Sequence, residues 1–119
     1  MNKKVEKSWG TEQDVVHTKN YIIKKIRINN GSLNYKKFHD KSDRTVYVLN
    51  GTLLIDFSNN KEESNVMKLY SGQSWTMLPK TIYRLGAPQK ESVEILVVLP
   101  TGKDDTFYLP GDTRRLNDA

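Results

Sequence analysis

The sequence is built from short runs that alternate apolar and polar residues and end at glycine, asparagine or proline. The run "YIIKKIRI", residues 21–28, places Ile22, Ile26 and Ile28 on one face, which is the alternation of a β-strand. Short strands separated by turn residues at regular spacing are typical of an antiparallel sandwich or barrel. No segment has the apolar spacing of a helix, so the sequence predicts an all-β fold.

The most apolar run is "VEILVVL", near the C-terminal end of the chain. Period-two alternation puts Val93, Ile95 and Val97 on one face and Leu96 and Val98 on the other. Apolar residues on both faces predict a strand that is covered on both sides. Further strands are predicted in "VMKLY" and on either side of the proline in "SWTMLPKTIYRLG".

The dipeptide Asn50-Gly51 gives the strongest local turn signal. It joins two strand-like runs in "RTVYVLNGTLLIDF", and both of its residues accept the positive φ of a tight turn. We therefore predict a β-hairpin centred on these two residues. The chain has 119 residues, which suits a single domain over residues 1–119.

Composition excludes several classes of protein. There is no cysteine, so disulfides, thiolate metal sites and a cysteine nucleophile are absent. No signal peptide and no membrane-spanning run is recognisable, and we expect a cytoplasmic protein without membrane contact. The net charge is +5, but the basic residues are dispersed among acidic ones, which disfavours nucleic acid and leaves anionic small molecules as partners.

Five stretches, taken in order, resemble one known family. "EKSWGTEQ", "NYIIKKIRINNGSL", "FHDKSDRTVYVLNGT", "SGQSWTMLPKTIYRLGAP" and "VEILVVLPTG" are similar to the cupin domain of mannose-6-phosphate isomerases of the bifunctional, guanylyltransferase-linked type. The resemblance implies a single-domain cupin fold, a jelly-roll β-barrel. It also implies an N-terminal arm over residues 1–18 and a polar C-terminal tail over residues 103–119.

The resemblance places four residues where the family holds its metal. His39 matches the first histidine of the first motif, Lys41 the second, and Arg44 the glutamate seven residues before Gly51. Tyr83 falls on the last histidine of the second motif. Lysine and arginine offer no lone pair and would repel a cation, so we predict neither a bound metal nor another cofactor.

Three interpretations of the stretch around His39 remain open. In the first, its charged residues form a solvated turn. In the second, His39 and Lys41 face the barrel interior together and Arg44 joins them, which makes a pocket for an anion unless acids such as Asp43 neutralise it. In the third, a metal is kept through His39, Asp40 and Asp43, although consecutive strand residues face opposite sides.

Four aromatic residues and one arginine complete the candidates. Trp75 is a core residue or an aromatic floor under a sugar ring, and Arg84 is a further ligand-binding cation. Tyr35, Tyr47 and Tyr83 are candidates for lining the barrel, although only Tyr83 lies in a motif.

The sequence therefore predicts a binding protein for an anionic carbohydrate, either a sugar phosphate or a nucleotide sugar. His39 and Tyr83 are candidates for an acid–base pair in a metal-independent isomerase or epimerase, since some sugar-nucleotide epimerases with a similar barrel use these residue types. The alternative is a non-catalytic scaffold for interaction or regulation. We also expect a homodimer.

Overall fold

The structure, a computed structural model, describes residues 3–58, 65–102 and 104–109 and contains eleven β-strands in these ranges. The strands are β1 (Lys4–Lys7), β2 (Gly10–His17), β3 (Tyr21–Ile28), β4 (Lys37–His39), β5 (Arg44–Asn50), β6 (Thr52–Ser58), β7 (Asn65–Tyr70), β8 (Ser74–Met77), β9 (Ile82–Gly86), β10 (Val93–Pro100) and β11 (Thr106–Tyr108). The described chain has no helix that could cross a membrane.

The strands form two antiparallel sheets that enclose one apolar core. One sheet has six strands in the order β1-β2-β3-β10-β5-β8, and the other has five in the order β11-β4-β9-β6-β7. The alternation along each strand directs its β-branched and leucine side chains inward. Core side chains with no exposed surface are Ile28, Val46, Val48, Leu53, Ile55, Val93 and Ile95. The prediction of an all-β jelly-roll fold is confirmed.

The hairpin predicted at Asn50-Gly51 is wrong. Strand β5 ends at Asn50 and pairs with β10 and β8, whereas β6 begins at Thr52 and pairs with β7 and β9 in the other sheet. Gly51, with φ of 92°, therefore turns the chain from one sheet to the other. Asn-Gly accepts positive φ both in a hairpin turn and in a corner between two sheets. The dipeptide alone therefore does not distinguish a hairpin from such a corner.

The two ends of the described chain are part of the sheets. Residues 1–18, predicted as an arm, contain β1 and β2, which extend the six-stranded sheet from the edge of β3. Residues 103–119, predicted as a polar tail, contain β11, which pairs with β4. The expected arm and tail therefore both include paired strands, since an edge strand such as β1 or β11 gains main-chain hydrogen bonds without a strongly apolar sequence. Residues 103 and 110–119 of that tail lie outside the described residues.

Strand β10 lies between β3 and β5 in the six-stranded sheet. Its inner face carries Val93, Ile95 and Val97, all buried, as predicted. Its outer face is not covered, since Val98 is exposed and no second layer packs on it in the described chain. The apolar character of this strand therefore comes from its central place in the sheet and does not reflect burial on both sides.

Candidate functional site

A cavity of about 1130 Å³ opens between the two sheets at one end of the barrel. The six-stranded sheet contributes apolar side chains, to which Ile26, Val97 and Leu99 belong, together with the ion pair of Lys24 and Glu12. The five-stranded sheet contributes polar side chains, among them His39 and Tyr83. The cavity therefore combines hydrogen-bonding and charged groups with apolar surface, as small-molecule sites do.

His39 lies at the end of β4 and is 4% exposed. Its Nε2 is 2.6 Å from the hydroxyl oxygen of Tyr83 on β9, and its Nδ1 is 2.8 Å from Oγ1 of Thr106 on β11. The strand order β11-β4-β9 puts the three residues on neighbouring strands. Both ring nitrogens are thus held by side chains of the barrel wall.

Burial keeps this pair uncharged at neutral pH. Desolvation, followed by the nearby charges of Arg44 and Lys37, lowers the pKa of His39 to about 4, against the weaker opposing effect of Asp105 and Asp104. Burial also raises the pKa of the Tyr83 phenol well above its ordinary value of 10. The site therefore contains a neutral imidazole beside a protonated phenol.

The protons in the hydrogen bonds of Tyr83, His39 and Thr106 can take two arrangements. A neutral imidazole has one N–H donor and one acceptor nitrogen. In one arrangement the Tyr83 hydroxyl donates to Nε2 of His39, and Nδ1–H donates to Thr106. In the other, the Thr106 hydroxyl donates to Nδ1 and Nε2–H donates to the Tyr83 oxygen, which directs the phenol proton into the cavity. The second arrangement presents a hydrogen-bond donor to a ligand.

Arg44 begins β5 and its side chain is 7% exposed. Its Nη1 donates to Oγ of Ser42 at 2.7 Å, and its Nη2 lies 3.5 Å from Oδ1 of Asp105 and 3.9 Å from Oδ1 of Asp104. Nη2 also donates a long hydrogen bond of 3.5 Å to Thr106 Oγ1. The charge of Arg44 is therefore compensated inside the protein, by Asp104 and Asp105 where the sequence suggested Asp43.

Asp105 closes the turn between β4 and β5. Its Oδ2 accepts hydrogen bonds from the main-chain N–H groups of Lys41 and Ser42, both at 2.8 Å, and its Oδ1 accepts one from the Ser42 hydroxyl at 2.9 Å. Partial burial alone would raise the pKa of Asp105, but these hydrogen bonds and the charge of Arg44 lower it to about 2. We call Asp105, Ser42 and Arg44 the carboxylate clasp.

Lys41 lies at the edge of the cavity with an exposed side chain. The expectation that it shares the face of His39 depends on continued strand alternation, but β4 ends at His39. Asp40 forms an ion pair with Lys80, 3.7 Å away at the surface. Part of the stretch around His39 is therefore a solvated turn, as the first of the three interpretations predicted. His39 and Arg44 themselves are buried.

The structure does not bring Arg84, Trp75 or Tyr47 into the cavity. Arg84 follows Tyr83 on β9, so it faces the opposite side, where its Nε lies 3.4 Å from Asp56. Trp75 is partly buried and packs on Phe57 with ring centroids 5.2 Å apart. Tyr47 is exposed. Of the three, only Trp75 contacts the core, in agreement with its assignment as a core residue.

Sequence reasoning missed Lys37, Asp105 and Thr106 at the site. Lys37 lies two residues before His39 on β4, and its ammonium is 5.0 Å from the ring centre of Tyr83. Period-two alternation from His39 is a signal that could have found it. No sequence signal links Asp105 or Thr106 to His39, because their contacts depend on the pairing of β11 with β4.

The side chains at the motif positions do not suit a divalent metal. His39 has both nitrogens in hydrogen bonds, Tyr83 is protonated, and Arg44 brings a positive charge. The described ranges contain no group of three or more histidine, aspartate or glutamate residues that could hold a metal ion. The interpretation with His39, Asp40 and Asp43 as ligands finds no support in this geometry.

Comparison with known proteins identifies the fold. No family model and no curated protein sequence matches the chain. Among solved structures, it is similar to an oxalate decarboxylase from Bacillus subtilis at pH 4.6, with a TM-score of 0.77 and 18% identity over 91% of this chain and 30% of that one. It is also similar to the formate complex of Lactobacillus farciminis oxalate decarboxylase, with a TM-score of 0.77 and 14% identity over 90% of this chain and 33% of that one.

The chain thus spans about a third of the length of these enzymes. A TM-score of 0.77 establishes the fold, whereas sequence identity of 14–18% carries no information on activity. Oxalate decarboxylases are cupins, so the comparisons agree with the strand order and the two facing sheets. They do not support the narrower likeness to mannose-6-phosphate isomerases. The chain has the cupin fold, a jelly-roll β-barrel.

Proposed function

We propose that the barrel cavity binds a small anionic carbohydrate, either a sugar phosphate or a nucleotide sugar. The observation that carries this proposal is the cavity of about 1130 Å³ with the His39–Tyr83 pair and Lys37 on one wall and apolar side chains on the other. A sugar ring has hydroxyl groups that hydrogen-bond and C–H faces that pack on apolar surface. A barrel filled with apolar side chains would have favoured the scaffold alternative.

The anionic group of the ligand is assigned to Lys37. Arg44 already has two carboxylates within 4 Å, so it offers less attraction to a further anion. Lys37 brings a positive charge to the wall beside Tyr83, and Lys41 adds another at the cavity edge. Because these contacts are Coulombic and partly solvated, affinity should fall as the salt concentration rises.

Isomerisation or epimerisation of the bound sugar is a second candidate. Such a reaction needs a base that takes a proton from carbon and an acid that returns one. The 2.6 Å hydrogen bond of His39 with Tyr83 joins two groups of the kinds that serve as base and acid in such reactions. However, a histidine whose pKa is about 4 is a weak base, because efficient acid–base groups have a pKa near the working pH. Binding is therefore the primary proposal.

Calorimetric titration tests the binding proposal. The probes are mannose 6-phosphate, UDP-glucose and inorganic phosphate, added to the wild type, to Lys37→Ala and to Lys25→Ala. Lys25 is exposed on β3 outside the cavity and controls for the loss of one positive charge. We expect roughly tenfold weaker binding in Lys37→Ala only. Absence of binding by every probe, or equal loss in both variants, would reject the proposal.

The catalytic candidate has a separate test. Proton abstraction from a sugar carbon in D2O introduces deuterium, which nuclear magnetic resonance detects on the recovered sugar. Incorporation that is lost in Tyr83→Phe and His39→Gln, while binding persists, would establish catalysis. Binding of the sugar without deuterium incorporation would show that the protein binds the sugar and does not catalyse proton abstraction.

A further inference from the structure

Three side chains form a row across the inner face of the small sheet. Tyr108 on β11 is the direct partner of Lys37 on β4, and Lys37 is the direct partner of Tyr83 on β9. Directly paired residues in antiparallel strands point to the same face. The row therefore runs from the outer edge of the sheet, at Tyr108, to the buried pair of Tyr83 and His39.

Tyr35 adds a second aromatic ring at the outer end of this row. It precedes Lys37 by two residues, and its ring meets that of Tyr108 edge to face, with centroids 6.3 Å apart and planes at 83°. Both tyrosines line the cavity, yet Tyr108 is 61% exposed. We call this pair the aromatic rim. An exposed aromatic ring at the mouth of a cavity offers a stacking surface to a planar ligand group.

The adjacent residue Phe107 provides a contrast within the same strand. It faces the other side of the sheet, where it stacks on Phe38 with centroids 5.4 Å apart. This stacking covers part of the Phe107 ring, and the residue remains 49% exposed. In the aromatic rim the edge-to-face contact of Tyr35 leaves most of Tyr108 exposed, on the side that faces the cavity.

We propose that the aromatic rim binds the nucleobase of a nucleoside diphosphate sugar. The inference rests on the proposed function and narrows its ligand class. Neighbouring strands lie about 4.8 Å apart, so Tyr108 and Tyr83 are separated by roughly 10 Å with Lys37 between them. A nucleoside diphosphate sugar has the same order of groups: a planar base, anionic phosphates and a sugar.

The size of the cavity favours the longer ligand. Sites for small molecules and cofactors occupy about 300–1000 Å³, and this cavity reaches about 1130 Å³ with its open mouth. A hexose phosphate placed at His39 would leave the aromatic rim without contact. The carboxylates of Asp104 and Asp105 lie near the same strand and share the single positive charge of Arg44. Lys37 and Lys41 add two further positive charges to the lining of the cavity.

Binding assays with matched variants test the assignment. We expect UDP-glucose to bind at least about tenfold more tightly than mannose 6-phosphate, since stacking on an aromatic residue contributes a factor of this order. Tyr108→Ala should remove that advantage and leave mannose 6-phosphate binding unchanged. Tyr108→Phe, which keeps the ring, should retain the advantage, and Phe107→Ala should affect neither ligand.

Two results would overturn the inference, and they have different meanings. If mannose 6-phosphate binds and UDP-glucose binds no more tightly, or if Tyr108→Ala binds both like the wild type, the aromatic rim is not a base subsite while the proposed function stands. If neither ligand binds, the proposed function itself fails. Saturation-transfer resonance on the uracil protons, lost in Tyr108→Ala and kept in Phe107→Ala, provides a readout that does not depend on affinity.

Discussion

Asp105 supplies the carboxylate that compensates Arg44, with its Oδ1 3.5 Å from Nη2. Arg44 occupies the position that the sequence resemblance assigns to a metal-binding glutamate. The negative charge at this site therefore comes from a residue near the other end of the chain, and it neutralises an arginine in place of coordinating a metal. With arginine in place of the family's glutamate, an internal ion pair of Arg44 and Asp105 occupies this position and lines the cavity.

The first prediction concerns the carboxylate clasp. Asp105→Asn keeps an acceptor for the turn but removes the charge beside the buried guanidinium, so we expect the free energy of unfolding to fall by about 1–3 kcal/mol. Denaturation in urea measures the change. The matched control is Asp40→Asn, which breaks an ion pair with Lys80 at the surface and should cost less than about 1 kcal/mol. Equal costs would contradict the role of the clasp.

The second prediction is a dependence of stability on pH that arises from His39. The pKa of this side chain is about 4 in the folded protein and 6.5 ordinarily, so between these values the unfolded chain binds a proton that the folded chain does not. Stability is therefore complete above pH 6.5 and falls as the pH is lowered toward 4, by about 3 kcal/mol. Thermal or urea denaturation across this range measures the loss.

The control for this dependence is His39→Gln, which cannot titrate. It should be less stable than the wild type at pH 7 but should lose much less stability between pH 6.5 and pH 4. Asp105 contributes in a separate window, because its folded pKa of about 2 lies below its ordinary 3.8 and its contribution is lost only below that value. A wild-type curve that is flat from pH 6.5 to pH 4 would contradict the assignment.

The third prediction compares two glycines with the same backbone strain. Gly51 and Gly72 have φ of 92° and 88°. A Cβ at Gly51 would lie 2.6 Å from the carbonyl oxygen of Ser92, whereas one at Gly72 would meet nothing within 4 Å. Both alanine variants lose the conformational freedom of glycine, but only Gly51→Ala also displaces the chain where it changes sheet. We expect Gly51→Ala to cost at least about 1 kcal/mol more in unfolding free energy.

The fourth prediction is that the purified protein carries no stoichiometric iron, manganese or zinc. The reason is the loss of metal ligands at the motif positions, where His39 is held by two hydrogen bonds. Elemental analysis after purification without chelators is the measurement. One equivalent of metal in the wild type that disappears in His39→Ala would contradict this prediction.

The fifth prediction is a homodimer. The outer face of the six-stranded sheet exposes Tyr47, Leu49 and Val98, and association would remove this apolar surface from water. Sedimentation at micromolar concentration should show a species of twice the mass of one chain. Tyr47→Lys should shift it toward single chains. A wild type that sediments only as single chains would refute the expectation.

Most strands of the fold were predictable from the sequence, since alternation of isoleucine, valine and leucine reports which face is buried. Strands β3 (Tyr21–Ile28) and β10 (Val93–Pro100) follow that pattern closely. Strands β1 and β11 do not, because they lie at sheet edges and are stabilised by main-chain pairing. Strand β2 lies next to the edge, between β1 and β3, and more than half of its residues are polar or charged. The corner at Gly51 was misread as a hairpin because turn chemistry does not specify which sheet the next strand joins.

The site was predictable only where it follows a motif. His39 and Tyr83 were identified by their motif positions, and the structure places them in hydrogen-bond contact. The partners of Arg44 could not be identified, because Asp104 and Asp105 reach it through tertiary contacts that leave no local pattern. Lys41 was misjudged because alternation was extended beyond the end of β4.

The hydrogen bonds that join Tyr83, His39 and Thr106 have a consequence for how the protein folds. The two hydrogen bonds join residues separated by 44 and 67 positions, so three distant segments must meet before both bonds exist. Closing such long loops costs entropy before any contact compensates it, and proteins dominated by these contacts fold in milliseconds to seconds. Because Thr106 lies on β11, the last described strand, the strands of the core can pair before β11 completes the polar side of the cavity. The cavity should therefore be completed late in folding, after the barrel itself has assembled.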